Sequence, residues 1–122
     1  MKHFKSPEGY FEDIEEMVMR SCSEEGWDGY DAVPVSWEGA YRVIKLISML
    51  PDILPDPSLT PENDGGMALD WQVDKKIISI SWDPQGRKYI FAYHVDELKG
   101  MGSFHQEVPE ILLKAISKAY ES

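Results

Sequence analysis

Apolar and polar positions alternate with two different periods along this chain. In the first fifty residues the period is helical. Tyr10, Ile14 and Met17, and with them Phe11, Val18 and Cys22, recur at helical spacing, while Glu12, Asp13, Glu15 and Glu16 fall on the other side. This predicts an amphipathic helix over residues 7–24. Ser6 serves as its cap, Pro7 suits the first turn, and Glu8 complements the positive end of the helix dipole. Gly26 ends it. A second helix is capped by Ser36, with Glu38 in its first turn and a stripe of Ala40, Val43, Ile44, Ile47 and Leu50. Tyr41, Leu46 and Met49 widen that stripe. So broad an apolar arc predicts a helix that is central to the fold, or covered by another element or a partner. Pro51 stops it.

Between the helices, Gly26 to Pro34 contains two glycines and a proline and predicts a loop, with Trp27 and Tyr30 needing something to pack on. Residues 51–64 hold Pro51, Pro55, Pro57 and Pro61 and read as an extended connector inside one domain. The period then changes to two. Met67, Leu69, Trp71 and Val73 alternate with polar or small residues. Ile78, Ile80 and Trp82 alternate with Ile77, Ser79 and Ser81, and Tyr89, Phe91, Tyr93 and Val95 with Lys88, Ile90, Ala92 and His94. Asp83-Pro84-Gln85-Gly86 marks a turn. Gly100-Met101-Gly102-Ser103 reads as flexible, and Pro109 opens a last helix with Leu112, Ala115, Ile116 and Ala119 on its apolar face. The expected fold is a single α+β domain spanning residues 1–122, of order ααβββα. It is a three-stranded antiparallel meander with helices packed on one face.

Composition adds a sign to this picture. The chain has 122 residues, 43% of them hydrophobic, which suits one self-sufficient core. Its 22 acidic residues against 12 basic ones give a net charge of −10. Such a surface repels nucleic-acid phosphates and anionic lipid and steers basic protein partners. Lys75-Lys76 and Arg87-Lys88 make at most small positive spots at hairpin ends, so no direct nucleic-acid contact is expected. Cys22 is the only cysteine, which fits a reducing compartment. Met1-Lys2-His3-Phe4-Lys5 has no apolar run behind it, and no stretch reaches the ~20 apolar residues of a membrane span. A cytoplasmic protein is expected.

Catalytic patterns do not assemble. Cys22 has acidic neighbours in sequence, which oppose a reactive thiolate. There is no Gly-x-Ser-x-Gly elbow, and Gly26-x-x-Gly29 lacks the strand before it and the Gly-Lys-Ser/Thr after it that a phosphate loop requires. His3, His94 and His105 are not at metal spacing, and the carboxylates around Glu62 and Asp64 do not form a calcium ladder. No catalytic residue, metal site or cofactor is therefore assigned. Trp27, Tyr30, Trp37, Trp71 and Trp82 are the large aromatics that a small core or a recognition surface would use. Trp27, Asp28, Tyr30 and Asp31 in the glycine-rich loop, with His94 on a strand, are the candidate binding residues.

Two segments resemble a pair found in a family of small uncharacterised bacterial proteins. Gly26-Trp27-Asp28-Gly29-Tyr30-Asp31-Ala32-Val33-Pro34 is similar to GWDGYxAxP, and Asp64-Gly65-Gly66-Met67-Ala68-Leu69-Asp70-Trp71 to DGGxxLxW. The resemblance covers roughly residues 25–95, implies a bacterial or phage origin and carries no activity with it. The expected function is non-enzymatic binding of another protein with a basic surface. Antitoxins, immunity proteins and phage-type (anti-CRISPR-like) inhibitors are examples. The alternatives are an assembly subunit forming a homodimer or larger homo-oligomer, and an unfamiliar small-ligand binder or enzyme centred where the loop meets the sheet.

Overall fold

The computed structural model describes residues 10–51 and 53–121; the helix start read at Ser6, Pro7 and Glu8, and His3, lie outside them. The first helix, α1, runs Phe11–Glu16 and continues as a π-helical turn over Met17–Ser21, shorter than the helix expected to residue 24. The reason is the spacing of the buried residues. Tyr10, Ile14, Val18 and Cys22 are all buried and stand four apart. At 3.6 residues per turn, such a stripe drifts by ~40° per step around an α-helix. The wider π turn drifts the other way. Its i→i+5 bond, Cys22 N–H to Met17 C=O at 2.9 Å, therefore returns Cys22 to the buried side.

Helix α2, Trp37–Met49, begins as expected: the Ser36 hydroxyl accepts from Gly39 N–H at 3.0 Å. It buries Gly39, Ala40, Val43, Leu46 and Ile47. The last helix, α3, spans Glu110–Ala119 and buries Leu112, Ala115, Ile116 and Ala119, the four residues its periodicity marks.

The sheet has five antiparallel strands in sequence order: β1 Ser58–Pro61, β2 Met67–Val73, β3 Lys76–Asp83, β4 Lys88–Val95 and β5 Leu98–Phe104. Two-residue turns join β2 to β3 and β4 to β5, with Asp74 and Asp96 in the left-handed region at φ 56° and 55°. Register puts Trp71 beside Ile78, Ile80 beside Phe91 and Trp82 beside Tyr89 on one face. That face joins residues of all three helices in one core; α2 packs on β2 and β3, and α3 on β2, β3 and β4. Trp71 and Tyr89 are fully buried. Each removes roughly 150–250 Å² from water, ~4–6 kcal/mol of gross driving force.

Helices on one face of an antiparallel sheet match the sequence reading. The count of three strands, and with it the order ααβββα, does not. β1 lies inside the proline-rich connector, where only four residues pair, ending at Pro61 on the sheet edge where a missing N–H is tolerated. β5 contains the supposedly flexible Gly100 to Ser103. Its glycines face aromatic partners, Tyr93 opposite Gly100 and Phe91 opposite Gly102. A Cβ at Gly100 would lie 2.6 Å from the Tyr93 hydroxyl, and one at Gly102 2.8 Å from the Phe91 ring. The rings therefore occupy the space of the absent side chains and complete the strand. No described helix is long and apolar enough to cross a membrane.

Candidate functional site

The Gly26–Pro34 loop is built from its own hydrogen bonds. Asp28 Oδ1 accepts from the N–H of Tyr30 at 2.9 Å and of Ala32 at 3.3 Å. Gly26 N–H donates to Ala32 C=O at 2.8 Å, and Gly29 N–H to Gly26 C=O at 2.9 Å. Gly26 and Gly29 take φ of 77° and 88°, a region that favours glycine. The Trp27 indole N–H donates to Val33 C=O at 2.8 Å, and its ring packs on the core. Asp28 and Trp27 thus hold the loop in shape.

The two resembling segments pack against each other. Val33 N–H donates to Asn63 C=O at 2.8 Å and Ser36 N–H to Gly65 C=O at 3.2 Å. Asp64 Oδ1 accepts from Gly66 N–H at 2.9 Å. Gly66 admits no side chain, since a Cβ would sit 2.5 Å from Trp82 C=O. From there Met67, Leu69 and Trp71 enter the core, and the Trp71 indole N–H donates to Pro55 C=O at 2.8 Å. Almost every signature residue therefore has a structural task. Tyr30 is the exception: its side chain is 86% exposed.

Other exposed apolar side chains lie along the chain on either side of Tyr30. Met19 on the π turn is 60% exposed, and Trp37 and Tyr41, one turn apart on α2, are 55% and 58% exposed. Met19 and Trp37 line one groove with Glu12, Glu15, Glu16 and Arg20, about 610 Å³ in volume. The three glutamates are the solvent side of α1, at positions i, i+3 and i+4. Residues 1–41 hold ten acidic and three basic residues, so seven of the ten net negative charges fall in the first third of the chain. Within this segment, Glu38 is engaged by Arg87 at 2.9 Å. Asp31 is exposed. The region offers hydrophobic and aromatic contact surface set among carboxylates.

His94 is elsewhere. It lies on the side of β4 away from the helices, with Ile77 and Lys99 as its strand neighbours. The loop packs on the β1–β2 connection at the opposite end, where Val33 and Pro34 lie against Gly65, and the adjoining Gly66 lies against Trp82 and Pro84. Ile77 and Trp82 are separated by roughly 17 Å along β3, at ~3.4 Å per residue. The structure therefore brings Trp27, Asp28, Tyr30 and Asp31 together and leaves His94 out. The sequence leaves Trp37 open between a core and a recognition surface and counts Tyr41 in the broad apolar arc of α2; both are exposed. The signal that separates them is their i, i+4 pairing outside the Ala40–Val43–Ile47 stripe.

Few of the described titratable groups are perturbed. Burial, with the nearby Asp64 and Asp70, pushes the Glu62 carboxyl up. Burial pushes Tyr10 up to about 12, Asp56 and Asp13 adding to it. Among the described residues no group of three His, Cys, Asp or Glu side chains is placed to hold a metal ion, and Cys22 is buried. Compared with protein families, curated proteins and solved structures, the chain matches none.

Proposed function

We propose that this chain is a non-enzymatic, acidic protein-binding domain that covers a basic site on its partner, in the manner of an antitoxin, an immunity protein or a phage-type inhibitor. The observation that carries the reading is the set of exposed Met19, Tyr30, Trp37 and Tyr41 within the segment that holds most of the net charge. Aromatic side chains on a rigid helix are efficient anchors, because little rotamer entropy is lost when they are buried. The surrounding Glu12, Glu15, Glu16 and Asp31 steer a cationic surface into place. Occlusion requires no chemistry in this chain.

The test is affinity capture from native lysate at low and high salt, with wild type beside W37A/Y41A and a charge-reversed E15K/D31K protein. A stoichiometric basic protein is expected with wild type, released by salt and lost in both variants while their circular dichroism is unchanged. Equal capture by all three proteins would remove the assignment of this surface.

A further inference from the structure

The two edges of the sheet differ. β1 is protected in the usual ways: it pairs over only four residues, Pro57 precedes it and Pro61 closes it. β5 pairs with β4 over seven consecutive residues without a bulge, and among the described residues nothing pairs with its outer side. It contains no proline and no carboxylate, and Lys99 is its only charge. In a chain of net charge −10, this is an edge where two copies meet with little like-charge repulsion.

The backbone polarity of β5 follows from its turn. Val95 and Leu98 flank a two-residue turn, so they form the closing hydrogen-bonded pair. Leu98, Gly100, Gly102 and Phe104 therefore direct their N–H and C=O groups at β4. Lys99, Met101 and Ser103 direct theirs to the open edge. All three are exposed, Met101 by 82%.

We infer that β5 is the contact edge of a two-fold dimer, pairing antiparallel with its copy in a second chain about Met101 and joining the two sheets into one. A two-fold axis through Met101 sets each residue of Lys99-Gly100-Met101-Gly102-Ser103 opposite the residue equally far on the other side of Met101 in the copy. In that register Met101 meets Met101 of the copy, and Lys99 meets Ser103 of the copy. Every outward N–H and C=O of the three residues finds a partner, and the two lysines are not opposed. Gly100 falls opposite Gly102, so no side chain crowds the Phe91 and Tyr93 rings that lie over them. The two exposed methionines cover each other on the side away from the helices. This pairing is independent of the acidic surface. α2 lies over β2 and β3, so each copy keeps its Trp37 and Tyr41 free.

Mass measurement by light scattering or sedimentation tests this, from dilute protein up to about 1 mM, where even weak pairing is populated. Wild type should reach twice the 14.0 kDa chain mass. M101P should stay at the single-chain mass with an unchanged circular dichroism spectrum, because the N–H it removes points away from β4. M101K, which opposes two charges at the axis, gives the same comparison if the proline protein does not fold. A cysteine at the axis adds a positive readout. Opposed Cα atoms in such a pair stand ~5.5 Å apart, within disulfide range. M101C should therefore form a disulfide-linked dimer under mild oxidant, and Y41C, on the helical side, should not. A wild-type mass of one chain throughout, a dimer that survives both M101P and M101K, or equal cross-linking of M101C and Y41C would overturn the inference.

Discussion

Replacing Tyr89 by phenylalanine removes one hydroxyl from the centre of the fold and leaves its packing in place. The ring is buried, set edge-on to Trp82 at 5.1 Å and stacked on Phe104 at 5.1 Å. The hydroxyl donates to the Arg42 C=O at 2.5 Å, fastening β4 to α2. Losing one such bond lowers stability by ~1 kcal/mol at neutral pH. Burial pushes this hydroxyl from 10 up to about 12, with Arg42 opposing the shift and Tyr41 adding to it. The unfolded chain releases the proton near pH 10, while the folded chain keeps it to about 12. The stabilising contribution of the neutral form is thus complete below pH 10 and is lost as pH rises through 12. Two pH units set an upper bound of ~2.7 kcal/mol, which solvent screening reduces to ~1. The Y89F protein carries no such proton. Its deficit against wild type in urea unfolding, followed by tryptophan fluorescence, should be ~1 kcal/mol at pH 7 and vanish by pH 11 to 12. Tyr10, also raised to about 12, contributes equally to both proteins and cancels. A deficit that stays constant or grows at alkaline pH would refute the reasoning.

Gly66→Ala should lower stability by ~2–3 kcal/mol in the same urea assay, because the new methyl group meets the Trp82 carbonyl of the backbone rather than a movable side chain. Trp71→Phe should cost ~2 kcal/mol, combining the lost bond to Pro55 with a smaller ring in a filled site. The double substitution W37A/Y41A should change stability in the urea assay by ~0.5 kcal/mol or less, since both rings are more exposed than buried. A large loss of stability there would mark these rings as structural and leave the binding surface without its anchors.

The helical half was legible where caps and stripes agree. Ser36, the Ala40–Ile47 stripe and the Leu112–Ala119 face all act as their spacing implies. The middle strands were legible because one face is buried and large apolar residues recur on it at every second position. β1 and β5 were not, although each pairs with its neighbour in sequence, since β1 is four residues ending in proline and β5 carries glycines where the apolar alternation would stand. Gly100 and Gly102 read as flexible until Tyr93 and Phe91 supply the bulk they lack. The π turn was hidden because periodicity detects a stripe without fixing the turn width. At the candidate site, the sequence singled out the Trp27–Asp31 loop but not its division of labour. Asp28 and Trp27 bond to the loop's own backbone, while Tyr30 and Asp31 are exposed. The separation of His94 from the loop is a matter of strand register, invisible in one dimension.

Carbodiimide coupling of the protein to its captured partner, followed by peptide mapping, tests the proposed binding surface most directly, because the reagent joins carboxylates to lysines in direct contact. The account predicts cross-links from Glu12, Glu15, Glu16 and Asp31 to partner lysines, suppressed by high salt. Cross-links confined to Asp70, Asp83 and the other carboxylates of the sheet, with none from the α1 stripe or the loop, would contradict it.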